Sequence, residues 1–184
     1  VISDNASTVG SFDLGVYKTK DGSNEVLTDI ENNNFEIIYL LGQDNLKFKK
    51  KNEFIIYQGS HGDKGAEIAD IILSGAAYTE QSAHFTNLEG RIQKAYKASY
   101  PPGQAKEDWQ IINELAELMN NRKLFNDKEE LQNSMFNFLN LKKEKQNSVS
   151  TGENNQDHFE NENLEIKTKD YYFSNVIARA SKTM

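Results

Sequence analysis

Apolar and polar positions fall in short blocks whose period changes several times along the chain. Val1 to Asn24 is rich in Ser, Gly, Asp and Thr, with one apolar patch from Phe12 to Val16, and reads as an irregular lead-in. Glu25 to Asn34 predicts a short helix with Val26, Leu27 and Ile30 on one face. Phe35 to Leu41 is a strand-length run, apolar on both faces and closed by Gly42, as expected of a strand covered on both sides in a parallel sheet. The short basic stretch from Leu46 to Asn52 predicts a turn of surface helix. Phe54 to Tyr57 gives a second buried-strand signal, followed by the glycine loop Gln58-Gly-Ser-His-Gly-Asp-Lys-Gly65. Ala66 to Ala69 can start a helix, and Ile71 to Leu73 is a third apolar run. This alternation predicts an α/β fold: an open, mostly parallel sheet flanked by helices.

Further along, Asn87-Leu-Glu-Gly90 separates His84-Phe85 from Arg91-Ile92-Gln93 and predicts a short β-hairpin turning at Glu89-Gly90. Pro101-Pro-Gly103 breaks the chain. Glu107 to Met119 carries the clearest helical period, with Trp109, Ile112, Ala116 and Met119 on one face, widened by Ile111, Leu115 and Leu118. A second helix is expected from Asp127 to Leu141, with Asn126 and Glu129 as a capping box and Leu131, Met135, Phe138 and Leu139 as its stripe. Beyond it the sequence turns to Lys, Glu, Asn, Gln, Ser and Asp, too polar to offset the entropy of ordering. The expected organisation is therefore a scaffold domain over 1–141, a flexible polar insertion or linker over 142–163, and a carboxy-terminal docking extension over 164–184. Within the extension, Leu164 to Thr168 alternates like an edge strand, and Tyr171 to Met184 ends in a helical turn or two.

Composition sharpens this reading. The 184 residues suffice for one domain with a tail, and a mean hydropathy of −0.73 with 37% hydrophobic residues places part of the chain outside the core. The net charge of −7 weighs against nucleic acid, which calls for a basic face. With no cysteine, this stretch offers no thiolate for an iron–sulfur cluster or zinc, and no disulfide. No run approaches the roughly 20 apolar residues of a membrane-spanning helix. The chain opens at Val1 without methionine and stops at Met184 within a helix-like run, as expected of a segment cut from a longer chain.

Candidate chemistry is sparse. Gly59, Gly62 and Gly65 follow a strand and could cradle a phosphate, but G-x-x-G-x-x-G is neither the dinucleotide fingerprint nor a Walker loop. A tight turn needing positive φ is the favoured reading. His61, His84 and His158 lack metal-ligand spacing and read as solvent-facing or structural. Asp108 and Trp109 read as a first-turn acid favoured by the helix dipole and a core aromatic. Ser60-His61 and Ser82-His84 lack the frame of a nucleophile elbow. Glu80 and Glu89 flank Arg91, so a structural ion pair is expected there, and Asn87 belongs to the same turn. No catalytic, cofactor-binding or metal-ligating residue is assigned.

Several blocks nevertheless carry a resemblance. Phe54-Ile-Ile-Tyr-Gln-Gly, His61-Gly-Asp, Gly65-Ala, Ile68-Ala-Asp-Ile-Ile-Leu73, Gly75-Ala-Ala-Tyr-Thr-Glu80 and Asn87-x-Glu-Gly-Arg91 appear in order. Pro101-Pro-Gly103, Glu107-Asp-Trp109 and Ala178-Arg-Ala-Ser-Lys-Thr-Met184 follow. Together they resemble the carboxy-terminal domain of the large iron–sulfur subunit (the G subunit) of NADH–quinone oxidoreductase, respiratory complex I. Ser74 departs from the family pattern, which usually has proline there, and His84-Phe85 and Leu88 are also atypical. The resemblance implies a molybdopterin-oxidoreductase-like α/β fold kept as scaffold, with the glycine loop vestigial. It implies no cofactor here, and iron–sulfur clusters held in an amino-terminal part of the full subunit. It implies other hydrophilic-arm subunits as partners, no nucleic acid and no direct membrane insertion. The location it implies is peripheral, on the cytoplasmic face of a bacterial inner membrane or the matrix side of the mitochondrial one. An active molybdopterin enzyme such as a formate dehydrogenase is the alternative, with Gly59 to Gly65 and Asn87 to Arg91 bordering the cofactor. A nucleotide-binding module is a third reading.

Overall fold

The computed structural model describes residues 8–16, 22–43, 48–147, 177 and 180–182, with only the backbone for 22–25 and 141–147. Helices α1 (Thr8–Asp13) and α2 (Gly22–Glu31) precede strands β1 (Ile37–Leu41) and β2 (Phe54–Gly59). Helix α3 (Lys64–Ile68) and strand β3 (Ile71–Ser74) follow, then the hairpin strands β4 (Ala83–Thr86) and β5 (Ile92–Ala95). Helices α4 (Asp108–Asn120) and α5 (Lys128–Asn147) complete the described elements.

The three apolar runs form one parallel sheet in the order β1-β2-β3, with Ile38 opposite Ile55, Leu40 opposite Tyr57 and Tyr57 opposite Ile72. The expected α/β class is met, with a separate antiparallel hairpin in which Ala83 pairs with Ala95 and Thr86 with Ile92. Leu40, Ile55 and Tyr57 form the core, and Ile38, Phe48, Ala66, Ile68 and Ala69 pack on it. Helix α3 packs on β2 of this sheet. The expectation of cover on both sides is met in part: on the α3 face Ile72 is still 55% exposed, and on the opposite face Gln58 is buried beneath Asp108 of α4. Ile37 and Leu41 of β1, on that opposite face, are 62% and 52% exposed.

Four local expectations change. The lead-in contains α1, a six-residue helix too short to be stable by itself, which is held by contact with β4. The basic stretch, described from Phe48 onward, is not helical. Phe48 turns into the core, the Lys51 amide donates to the Glu53 carboxylate, and the Phe54 amide joins the ladder at the Glu36 carbonyl. In α4 the buried inward residue is Asn113, whereas Leu118 and Met119 are 82% and 73% exposed at the helix end. The Asn113 side chain donates to the Phe125 carbonyl at 2.9 Å and accepts from the Leu124 and Phe125 amides, fixing the turn into α5. The capping interaction of α5 sits one residue later than expected. Asp127 accepts from the Glu130 amide, and Glu130 reaches back to the Asn126 amide.

The α5 backbone runs past residue 141 to Asn147, so the polar tract begins inside a helix. Of its stripe, Leu139 is buried and Leu131 and Met135 partly so, while Phe138 is half exposed. The tract from 148 onward, the edge strand expected over 164–168 and most of the extension lie outside the described residues.

Candidate functional site

The carboxyl ends of β2 and β3 open onto a cleft of about 490 Å³, where parallel sheets commonly hold ligands. Gly59, Ser60, His61 and Gly62 form one wall; Ser74 and Gly75 from β3, Glu80 and Gln104 form others. Among the described residues its lining carries the carboxylate of Glu80 and no Lys or Arg. The Glu80 carboxylate is already engaged, accepting from the buried Ala77 amide at 2.9 Å. Ser60 Oγ and His61 Nδ1 are hydrogen-bonded at 3.0 Å.

The glycine loop owes its composition to a ring and not to backbone conformation. None of Gly59, Gly62 and Gly65 has positive φ, contrary to the turn expected from their spacing. A Cβ at Gly59 would run into the hydroxyl and ring of buried Tyr57. One at Gly65 would lie 2.7 Å from that ring and from the Gln43 carbonyl oxygen. Gly62 alone has room, with only the Ala66 methyl at 3.8 Å. Tyr57 thus occupies the space the two glycines leave, and its hydroxyl donates to the His61 carbonyl at 2.8 Å. The short α3 behind the loop is capped by Asp63, whose carboxylate accepts from the Lys64 amide.

Beside the cleft lies a polar chain that the sequence reading did not assemble. Tyr39 Oη donates to Gln58 Oε1. Gln58 Nε2 donates to Asp108 Oδ1 at 2.8 Å, and Gln81 Nε2 to Asp108 Oδ2 at 3.0 Å. Burial, then the Asp108 charge, pushes the Tyr39 hydroxyl above its usual range. Asp108 is thus more than a first-turn acid: it ties the parallel sheet to α4 and to the approach of the hairpin. Gly75 leaves room for this carboxylate, since a Cβ there would stand 2.8 Å from Oδ1. One signal was available, because Gln58 interrupts an apolar strand and a buried amide needs partners.

The other candidate residues lie apart from the cleft. Asn87 Oδ1 accepts from the Glu89 and Arg91 amides, and Gly90 takes φ +80° in the hairpin turn. The ion pair expected between Arg91 and Glu80 or Glu89 is not formed. Among the described residues, four salt bridges join other side chains, and Arg91 is exposed. His84 lies over α5, its ring edge-on to Phe136 at 5.3 Å and 85°. Burial, then the charges of Lys94 and Lys128, hold its pKa below the ordinary value. It borders a second hollow of about 560 Å³ lined largely by apolar groups such as Leu14, Trp109, Leu131 and Met135. His158 lies outside the described residues. Among those described, no three His, Asp or Glu side chains converge as a metal site.

Comparison with known proteins supplies the family. A family model for molybdopterin oxidoreductase matches residues 1–118, and one for the carboxy-terminal part of the NADH-ubiquinone oxidoreductase G subunit matches 130–184. The two matches lie on either side of the α4–α5 turn. Over its whole length the chain is 38% identical to the NADH-ubiquinone oxidoreductase 75 kDa subunit of Reclinomonas americana. It is likewise 42% identical to the NADH-quinone oxidoreductase G subunit of Rickettsia bellii. Over 66% of its length it is 43% identical to the mitochondrial NADH-ubiquinone oxidoreductase 78 kDa subunit of Candida albicans. It spans 27%, 26% and 16% of those relatives' own lengths. Two matches in this order, over a parallel sheet of the expected class, lead to one conclusion: the chain belongs to the molybdopterin oxidoreductase family, in the branch formed by the G subunits of NADH–quinone oxidoreductase.

Proposed function

We propose that this chain is a non-catalytic scaffold segment of the large iron–sulfur subunit in the hydrophilic arm of NADH–quinone oxidoreductase. The supporting observation is the chemistry of the cleft. A molybdopterin group carries phosphate, and an anion of that kind calls for Lys, Arg or unoccupied backbone amides. Among the described residues the cleft has no Lys or Arg, contains a carboxylate, and is backed by two glycines whose vacant space Tyr57 fills. These residues do not fit the group, and the Gly59–Gly65 loop is read as a retained structural turn.

In this role the α/β scaffold runs on through α5, and the carboxy-terminal segment docks onto neighbouring hydrophilic-arm subunits. Electrons travel through iron–sulfur clusters held by another part of the polypeptide, since this stretch has no cysteine to offer. Net charge −7 disfavours nucleic acid as a partner. The segment is peripheral, on the cytoplasmic face of a bacterial inner membrane or the matrix side of the mitochondrial one. No described helix is long and apolar enough to cross a membrane. Metal and pterin analysis of the intact full-length protein tests the reading. Iron without stoichiometric molybdenum or tungsten is expected; either metal at one equivalent, with pterin, overturns it.

A further inference from the structure

Pro101-Pro-Gly103, which interrupts the periodicity of the sequence, has a definite place in the fold. Pro102, Gln104 and Ala105 stand in the wall of the cleft, and both ends of their loop are fastened to one rim of it. Before the loop, the Ala98 and Ser99 amides donate to the Thr79 carbonyl at 2.8 and 3.2 Å. After it, the Lys106 amide donates to the Ser74 carbonyl at 3.2 Å, and the Lys106 carbonyl accepts from the Ala76 amide at 2.8 Å. A parallel bridge of Gly75 with Lys106 lies between these two bonds. The rim itself is braced. Glu80 accepts from the Ala77 amide, and the Gln81 side chain donates to the Ala76 carbonyl and to Asp108.

Between its anchors the loop is stiff within itself and unattached outward. Two successive prolines fix φ, and the Ala105 amide donates to the Pro102 carbonyl at 3.1 Å, closing a turn with Gly103 at φ +59°. The Tyr100 ring is 79% exposed, and its cation partner, Lys97 at 4.6 Å, comes from the loop's own amino-terminal flank. Among the described residues, no hydrogen bond joins 100–105 to the Gly59–Gly62 wall across the cleft. A stiff segment held at both ends on one rim keeps one soft motion, rotation about the line joining its anchors. Such hinges take up the change at a few terminal residues and leave the moving body intact. Exposed segments with few outward bonds open at low free energy.

We infer that Tyr100–Ala105 is a hinged flap that swings on the 74–79 rim and sets the width of the cleft, and with it access to Ser60 and His61. The inference uses only the shape of the cleft, so metal or pterin in the protein would defeat the scaffold reading and leave the flap standing.

Pulsed electron paramagnetic resonance on the full-length protein tests it, with spin labels carried on noncanonical amino acids. One pair spans the cleft, at Gly62 and Gln104. The control pair, at Gly62 and Tyr78, joins the same wall to the braced rim. Gly62 has room for a side chain, and Gln104 and Tyr78 are exposed. Both pairs are read in protein that melts as the parent does. The 62–104 distance distribution is expected to show two maxima, or to be clearly broader than the 62–78 distribution. A 62–104 distribution no broader than the control overturns the inference, whether both are narrow or both are broadened by motion of the Gly59–Gly62 wall.

Discussion

At position 65 a methyl group would stand 2.7 Å from both the Gln43 carbonyl oxygen and the Tyr57 ring, and neither neighbour is free to give way. Tyr57 is 1% exposed and held by its hydroxyl on the His61 carbonyl. Gly65→Ala is therefore expected to destabilise by about 1–3 kcal/mol, the usual cost of overpacking a filled core. Gly62→Ala, meeting only a methyl at 3.8 Å, should stay within about 0.5 kcal/mol of the parent. Urea unfolding of the three proteins checks this, and equal losses at both positions would refute the account of the loop. The same reasoning separates spacing from cause. Three glycines at intervals of three were legible in the sequence, but the aromatic ring that requires two of them was not.

The hairpin and α5 meet through His84 and Phe136, residues far apart in sequence that only the fold brings together. Because burial and two lysines depress its pKa, His84 binds a proton more readily in the unfolded chain than in the folded one. The sign follows: the folded state gains from neutral His84 above the ordinary value of 6.5, and that contribution is lost as pH falls below it toward the folded pKa. Melting temperature should fall from about pH 7 to about pH 5 more steeply in the parent than in His84→Gln, since the variant has no proton to take up. Parallel curves would show that the contact carries no pH dependence. Element positions were largely legible, because the strand runs and the period of α4 are strong signals. Their ends were less so. The cap of α5 moved to Asp127 and Glu130, and α4 turned Asn113 inward, because tertiary partners at 124–125 outweighed the apolar stripe.

For the molecule as a whole, strand order bears on ligand binding. Open α/β sheets bind nucleotides where the strand order reverses, and β1-β2-β3 proceeds without reversal among the described strands. A net charge of −7 adds repulsion toward phosphates. Titration with NADH, FAD and GTP should therefore give no saturable signal, and micromolar affinity for any of them would contradict this.

The sequence by itself determined the α/β class, the three parallel-strand runs, the hairpin with its Asn87–Gly90 turn and the main helix. Each of these is written in local periodicity or turn chemistry, which needs no distant partner to be read. The resemblance to the large iron–sulfur subunit was also legible, because it rests on ordered blocks of residues. Tertiary structure alone decided the rest. It turned the glycine loop into a seat for Tyr57, left Arg91 without its expected carboxylate, and joined Tyr39, Gln58, Asp108 and Gln81 from distant parts of the chain. Packing and polar satisfaction are properties of which surfaces meet, and periodicity along a strand carries no record of that.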